Sequence, residues 1–358
     1  MGRSAVTFSG ETARAAAGAG APLRVSFVMP VLNEEDYVSA AVESILAQGG
    51  LDEREVLLVL GASTDRTDEV VAALAASHTE IRVLRNPHNA ISQSMNIGIA
   101  EARFPVVVRV DAHSVLPAGY AETAVRSLRA AGAVNLGGRM HAEGQTPYEE
   151  AVAWGYNSPG GLGGAVYHTG GEAGPAESAY LGVFDRAAVL AIGGFDESLS
   201  RGEDWDLNRR LMARGGLVWF EPALDVIYRP RSSVKALAKQ FHASGRWRGE
   251  IIRRLSGRVP VRYFVPPALL VALVAGAAMI VAGALVGGPP GIVLAALGAL
   301  PYVVYPAWVA LTALRAEVPG GVRLRLLGVL PTMHLSWGVG CAAGILMPSR
   351  GHNAFAGR

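Results

Sequence analysis

The chain has 358 residues, of which 51% are hydrophobic and only 17% charged, with a formal net charge of +2. That length admits one large domain or two modest ones, and the apolar balance is too high for an ordinary soluble protein. No nucleic-acid partner is expected, and the lone Cys341 excludes a disulfide framework or a zinc cluster.

Met1–Ala21 is Ala/Gly-rich with Arg3 and Arg14 but has no apolar core, so 1–21 reads as a disordered arm rather than a secretory signal. Val25–Met29 reads as a buried strand ended by Pro30. Asn33, followed by Glu34, Glu35 and Asp36, has the form of a helix start with acids at the positive end of the dipole. The helix is expected to run to Gln48 and stop at Gly49-Gly50. Strands over Glu55–Leu60 and Ile81–Leu84 alternate with helices over Asp65–Ser77 and near Ser92–Arg103. The run Val106-Val107-Val108-Arg109-Val110 closes the series as a strand buried on both faces. Such alternation predicts an α/β fold with right-handed crossovers and a mostly parallel sheet with flanking helices. Gly160–Gly174 is Gly-rich, suiting a mobile loop, and no helix follows it as a P-loop requires. A further helix is expected over Trp205–Ala213.

Each predicted strand ends in polar residues: Pro30–Glu34, Ser63-Thr64-Asp65, Arg85-Asn86 and Asp111-Ala112-His113. Ligands of open α/β sheets collect past the carboxyl ends of such strands. Oxygen and nitrogen ligands at i and i+2, as at Asp111 and His113, suit a divalent cation held against a diphosphate. The same two residues also suit a strand-end turn in which Asp111 satisfies backbone amides. A second acidic cluster, Glu203-Asp204, follows Gly193-Gly194-Phe195-Asp196-Glu197. It reads equally as an acid pair at a helix N-terminus. Gln240 through Trp247 comes later still.

Tyr263 to Leu314 contains no Asp, Glu, Lys or Arg, and neither does Leu326 to Ser349. A charge near a bilayer centre costs roughly 2.5–3.5 kcal/mol, so these runs read as three membrane spans, about Phe264–Val286, Ile292–Leu314 and Leu326–Met347. Arg246, Arg248, Arg253, Arg254, Arg258 and Arg262 precede the first span, and Arg315, Arg323 and Arg325 stand between the second and third. The positive-inside rule then puts the N-terminal part in the cytoplasm. The domains expected are an arm over 1–21, a cytoplasmic α/β domain over 22–262, a membrane region over 263–349 and a tail over 350–358. By alternation that tail is outside; a re-entrant third segment would put it inside. His334, within an uncharged span, receives no role.

The order P-x-x-N-E-E, S-T-D-x-T, D-x-H, G-G-F-D-E, E-D and G-R-W resembles the family 2 glycosyltransferases of GT-A fold. Here R-V-D-A-H stands where most relatives have D-x-D, as in the ExoA-type succinoglycan-biosynthesis glucosyltransferases. The resemblance spans roughly Leu23 to Arg262 and implies inverting transfer from a nucleoside-diphosphate sugar. It implies that Asp111 and His113 hold Mg²⁺ or Mn²⁺ on the donor diphosphate, and that Asp204 is the catalytic base, its pKa raised by neighbouring Glu203. Pro30, Asn33, Glu34, Ser63 and Asp65 would line the nucleoside side. Trp247 would stack near the acceptor and Arg246 would pair with the diphosphate, with Gln240 in the same motif. Two departures stand out: Ala243 occupies the Gln position of Q-x-x-R-W, and Leu60-Gly61-Ala62 replaces the acids that usually contact the base. Backbone groups would then hold the base, or the donor carries another nucleotide.

The implied enzyme is a multi-pass cell-membrane transferase whose acceptor is a lipid-linked oligosaccharide or an envelope polysaccharide, with membrane lipids as partners. The alternatives are a polyprenyl-phosphate sugar transferase and a degenerate transferase serving as a membrane scaffold.

Overall fold

The computed structural model of the chain describes residues 21–162, 165–178, 180–199, 202–254 and 263–347. They form two compact units, one from residues 21–141 and 166–228, the other from 142–165 and 229–347. The expected arm, Ala21 excepted, and the tail over 350–358 lie outside the described residues.

The first unit is built on an eight-stranded sheet. Its strands are β1 (Arg24–Val31), β2 (Glu53–Leu60), β3 (Ile81–Arg85), β4 (Val106–Arg109), β5 (Asn135–Ala142), β6 (Gly174–Pro175), β7 (Tyr180–Asp185) and β8 (Val218–Tyr228). They lie in the order β3-β2-β1-β4-β7-β5-β8-β6. The β3-β2-β1-β4 half is parallel throughout, as the strand–helix alternation predicts. Beyond β4 the direction reverses: β7 is antiparallel to both β4 and β5. The sheet is therefore mixed, because β7 follows the Gly-rich segment rather than a crossover helix and enters beside the carboxyl end of β4.

Helices α1 (Val38–Leu46), α2 (Thr67–Ser77) and α3 (Ile91–Glu101) connect the parallel strands. After β4 come α4 (Tyr120–Ala131), α5 (Pro147–Asn157), α6 (Val166–Thr169), α7 (Arg186–Ala191) and α8 (Glu203–Ala213). Side chains of a strand alternate between faces, and this sheet uses both. Phe27, Met29 and Val31 join Val42 and Ile45 of α1 and Val125 of α4 in one core. Val28, Leu57 and Val59 join Met95 and Ile99 of α3 and Leu207 of α8 in the other. Helices thus cover both faces of the sheet.

Two sequence expectations change at the first loop. β1 continues through Pro30 to Val31, and α1 starts at Val38 rather than Asn33. Asn33 adopts φ 55°, in the left-handed region, and its Oδ1 accepts from the Thr64 N–H at 2.8 Å. The Glu34 N–H donates to Thr67 Oγ1 at 2.7 Å. These groups tie one strand-end loop to the next, so they do not cap a helix. Among the described residues of the Gly-rich segment are α6 and Gly174, the first residue of β6.

In the second unit, α5 opens with a capping box between Thr146 and Glu149 and with Pro in its first turn. The basic helix α9 (Val234–Arg254) follows, then α10 (Val265–Val286), α11 (Gly288–Arg315) and α12 (Gly320–Leu346). By length and composition the last three are candidate membrane helices, with mean hydropathies of 2.7, 1.8 and 1.3.

Candidate active site

Four loops of the first unit meet at the carboxyl edge of the parallel strands. The loop after β1 is bound to that after β2: the Asn33 N–H donates to Ser63 Oγ at 3.1 Å, and the Glu35 N–H to Asp65 Oδ2 at 3.4 Å. Burial works to raise the Asp65 carboxyl, but hydrogen bonds from the Thr67 hydroxyl, the Thr67 N–H and the Glu35 N–H outweigh it and hold its pKa below the ordinary value. Pro30, Asn33, Glu34, Ser63 and Asp65 therefore share one rim. The loop after β3 joins it through Asn89, whose Oδ1 accepts from the Ala62 N–H at 2.6 Å. Asn89 has φ 57°, and its carboxamide fills the space a Cβ on Gly61 would need. Leu60 is buried within the core.

The loop after β4 carries Asp111 and His113. His113 Nδ1 lies 3.3 Å from Oε1 of the buried Glu34, which joins the end of β4 to the end of β1. Asp111 is engaged from within its own strand: Arg109 Nε donates to Asp111 Oδ1 at 3.1 Å.

Arg109 is the residue that sequence reasoning missed. It is 7% exposed, and its Nη1 donates to Asp204 Oδ1 at 2.6 Å and reaches Glu203 Oε1 at 3.5 Å. One guanidinium therefore bridges the acid after β4 and the acid pair about 95 residues further on. Burial works against its charge, but Asp111, Asp204 and Glu203 outweigh that and raise its pKa well above the ordinary value. Its signal was the Arg of R-V-D-A-H, placed in a strand otherwise made of valines.

The acid pair opens α8, after Gly202 in a left-handed conformation at φ 71°. Both carboxylates thus sit at the positive end of a helix dipole. Burial pushes the Glu203 carboxyl up to about 7; Asp204 adds in the same direction and Arg109 opposes. Asp204 reaches solvent, with its side chain 44% exposed. The wall behind is Tyr180, at the start of β7; burial raises its phenol, Asp111 adds to that, and a hydrogen bond with Ser114 opposes it.

Among the described residues, no group of three or more His, Cys, Asp or Glu is placed to hold a metal ion. Asp111 and His113 would supply two ligands, with side chains 21% and 43% exposed. A hard cation would take its remaining oxygens from a diphosphate or water. The three carboxylates around Arg109 also leave negative charge uncompensated. The donor set therefore fits Mg²⁺ or Mn²⁺ bound together with a diphosphate.

Gln240, Arg246 and Trp247 belong to the second unit and share α9. Arg246 Nε stands 3.9 Å from Glu250 Oε1. The Arg248 guanidinium lies 4.4 Å from the centroid of the Trp247 ring and 4.0 Å from that of Tyr263.

The sequence profile described as glycosyl transferase family 2 matches residues 26–179. The succinoglycan biosynthesis protein ExoA of Rhizobium meliloti (strain 1021) is 30% identical over 317 residues, which cover 87% of this chain and 92% of that protein. The chain belongs to glycosyltransferase family 2. A second family 2 relative is 24% identical over 239 residues, 64% of this chain and 74% of that protein. It is the dolichyl N-acetyl-alpha-D-glucosaminyl phosphate 3-beta-D-2,3-diacetamido-2,3-dideoxy-beta-D-glucuronosyltransferase of Methanococcus voltae. The solved structure of mannosyltransferase PcManGT from Pyrobaculum calidifontis, in complex with GDP-Man and Mn²⁺, superposes with a TM-score of 0.60 at 17% identity. That match covers 92% of this chain and 89% of that one. The fold is that of the GT-A glycosyltransferases, with three candidate apolar helices at its C-terminal end. Relatives of this glycosyltransferase work in polysaccharide and lipid-linked glycan biosynthesis.

Proposed function

We propose that this family 2 enzyme is an inverting hexosyltransferase that moves a sugar from a nucleoside-diphosphate sugar to a lipid-linked oligosaccharide or an envelope polysaccharide. One observation carries the reading: Asp111 and Asp204 converge on the single buried guanidinium of Arg109. A diphosphate site and a base for the acceptor then share one cleft.

Asp204 takes the proton of an acceptor hydroxyl as its oxygen attacks the anomeric carbon. The new C–O bond forms on one face of the sugar, and the bond to the nucleoside diphosphate breaks on the other. A well-placed general base contributes on the order of 10²–10⁴ in rate. Asp111 and His113 would hold Mg²⁺ or Mn²⁺, which when bound offsets the charge building on the leaving diphosphate. Burial raises the Glu203 carboxyl to about 7, which weakens the negative charge beside the base. The rim of Pro30, Asn33, Glu34, Ser63 and Asp65 lines the nucleoside side, with the Asn89 carboxamide beside Gly61.

The apolar helices of the second unit anchor the enzyme in the cell membrane, with the catalytic unit cytoplasmic by the placement of Arg and Lys. The name of the Methanococcus voltae relative, a transferase acting on a dolichyl-linked sugar phosphate, supports a lipid-borne sugar as acceptor.

The test is transfer by the purified full chain in detergent or nanodiscs, with labelled nucleotide sugars, lipid-linked acceptors and Mg²⁺ or Mn²⁺. Product of inverted anomeric configuration is expected. Nucleotide binding with no transfer to any acceptor would count for a scaffold.

A further inference from the structure

Length and composition leave open whether α12 crosses a bilayer, but its neighbours decide the matter. α10 and α11 form an antiparallel hairpin, in which Gly276 backs onto Gly298 and Gly283 onto Gly291, with no room for a Cβ between them. The Tyr302 hydroxyl donates to the Leu273 carbonyl at 2.6 Å in the same register. That register puts Pro266, at the start of α10, level with Trp308, not far from the end of α11 at Arg315.

α12 begins beside that end. The Val322 N–H donates to the Pro319 carbonyl at 3.0 Å, and the Arg323 guanidinium donates to the Ala316 carbonyl at 3.1 Å. A helix crossing back from Gly320 would cover about 27 Å by Gly338, most of the ~30 Å hydrocarbon layer. Gly338 instead abuts the Pro266 carbonyl, at the mouth of the hairpin. His334 lies 3.0 Å from the Tyr305 hydroxyl, and its ring centroid is 5.7 Å from that of Trp308. Its other nitrogen lies 3.2 Å from the carbonyl of Gly161, in the loop after α5. Measured along α11, α12 therefore descends only about 10–15 Å from Arg315.

Its remaining half runs alongside α9. Gly340 sits against His242 and Arg246, and Gly344 against Arg246 and Glu250. In return, Gly245 rests on Trp337 and Cys341, and Gly249 on Cys341 and Ile345. Contacts of this kind bring two helix backbones together. α9 carries Lys235, Lys239, Arg246, Arg248, Glu250 and Arg253, and a helix so charged does not enter hydrocarbon. The half of α12 fastened to it stays at the same level.

We propose that α12 is a membrane-surface helix rather than a third crossing, lying with α9 in the headgroup region of the leaflet from which α10 enters. Its partner is the lipid surface: apolar side chains reach the acyl boundary and the cations of α9 reach the headgroups. The chain then crosses twice, and the end of α12 at Leu346 lies on the side that holds Val234. This rests on the membrane reading above and not on the chemistry proposed with it.

The test uses the full chain in a Cys341→Ala background, with single cysteines at Ser232, Pro289 and Ser349. A membrane-impermeant maleimide is applied to sealed vesicles of either orientation. Ser232→Cys and Ser349→Cys are expected to label from one side, at least tenfold over the other, and Pro289→Cys from the opposite side. Labelling of Ser349→Cys together with Pro289→Cys overturns the proposal. If Ser232→Cys and Pro289→Cys label from the same side, the hairpin does not cross and the membrane reading itself fails. A C-terminal alkaline phosphatase fusion asks the same question without a reactive thiol. An inactive fusion supports two crossings, and an active one overturns them.

Discussion

Arg109→Met keeps the length and apolar stem of the side chain and removes its charge. Three carboxylates lose their cation: Asp111 at 3.1 Å, Asp204 at 2.6 Å and Glu203 at 3.5 Å. Glu203, with its pKa near 7, takes up a proton below neutrality and adds little charge there. Asp111 and Asp204 each lose the guanidinium that both contact. Breaking a fully buried pair costs about 3–5 kcal/mol, and solvent reaching Asp204 and part of Asp111 reduces that to about 2–3 kcal/mol here. For a unit of this size the loss lowers Tm by about 5–10 °C. A divalent cation should substitute in part for the missing guanidinium, so saturating Mn²⁺ should narrow the deficit. Arg109→Lys, which restores the charge but not the fork, should fall in between. The assay is thermal unfolding of wild type and both variants near pH 6.5, with and without Mn²⁺. An unchanged Tm in Arg109→Met, or a deficit of equal size in both conditions, would refute the shared-cation reasoning.

Asp204→Asn should reduce kcat by about 10²–10⁴ while calorimetric donor affinity changes little, because the amide keeps the shape but not the basicity. Glu203 has a folded pKa raised to about 7; a raised acid contributes stability that is whole below its unfolded value near 4.5 and lost as pH rises through 7. Glu203→Gln should remove that slope, so Tm curves of variant and wild type should converge towards pH 5 and separate above 7 in the variant's favour. Gly344→Val places a side chain on the Arg246 carbonyl and near the Glu250 N–H, costing about 1–3 kcal/mol of stability in detergent. Gly328→Val, with nothing within 4 Å, should cost little.

The parallel half of the sheet was legible because its strands are rich in Val, Leu and Ile and alternate with helices, and the closeness of Asp111, Glu203 and Asp204 to one another was not. The role of Arg109 was not legible either. Its guanidinium matters only once α8 brings Asp204 to it, a juxtaposition separated by 95 positions. The start of α1 was misplaced for a related reason: Asn33 and Glu34 look like a cap and first-turn acid, yet their partners are Thr64 and Thr67 in the next loop. Nor does hydropathy reveal what covers a helix. α12 passes as a candidate span by its mean, although 39% of its most apolar window is buried inside the protein, against 11% for α10 and α11.

The position of the cleft follows from strand order. β1 sends its chain through α1 to β2 on one side, while β4, reached from β3 through α3, lies on the other side of β1. Loops leaving β1 and β4 therefore diverge, which opens a crevice at their carboxyl ends, where ligands of open α/β sheets bind. Glu34 and His113 meet across that gap. A further parallel strand beside β4 would follow a crossover helix, with its amino end away from this edge. The antiparallel β7 instead begins there, putting Tyr180 against Ser114 and beside Asp111. The chain after β7 leads through α7 to Gly202, where α8 turns Glu203 and Asp204 back towards Arg109. A base supplied from outside the parallel half can face the acceptor while the strand-end loops hold the donor. On this argument, changes at Asn33, Ser63 or Asn89 should alter donor affinity without altering the pH dependence of kcat. A pH profile shifted by any of the three would mean that donor site and base are not separate parts of the fold.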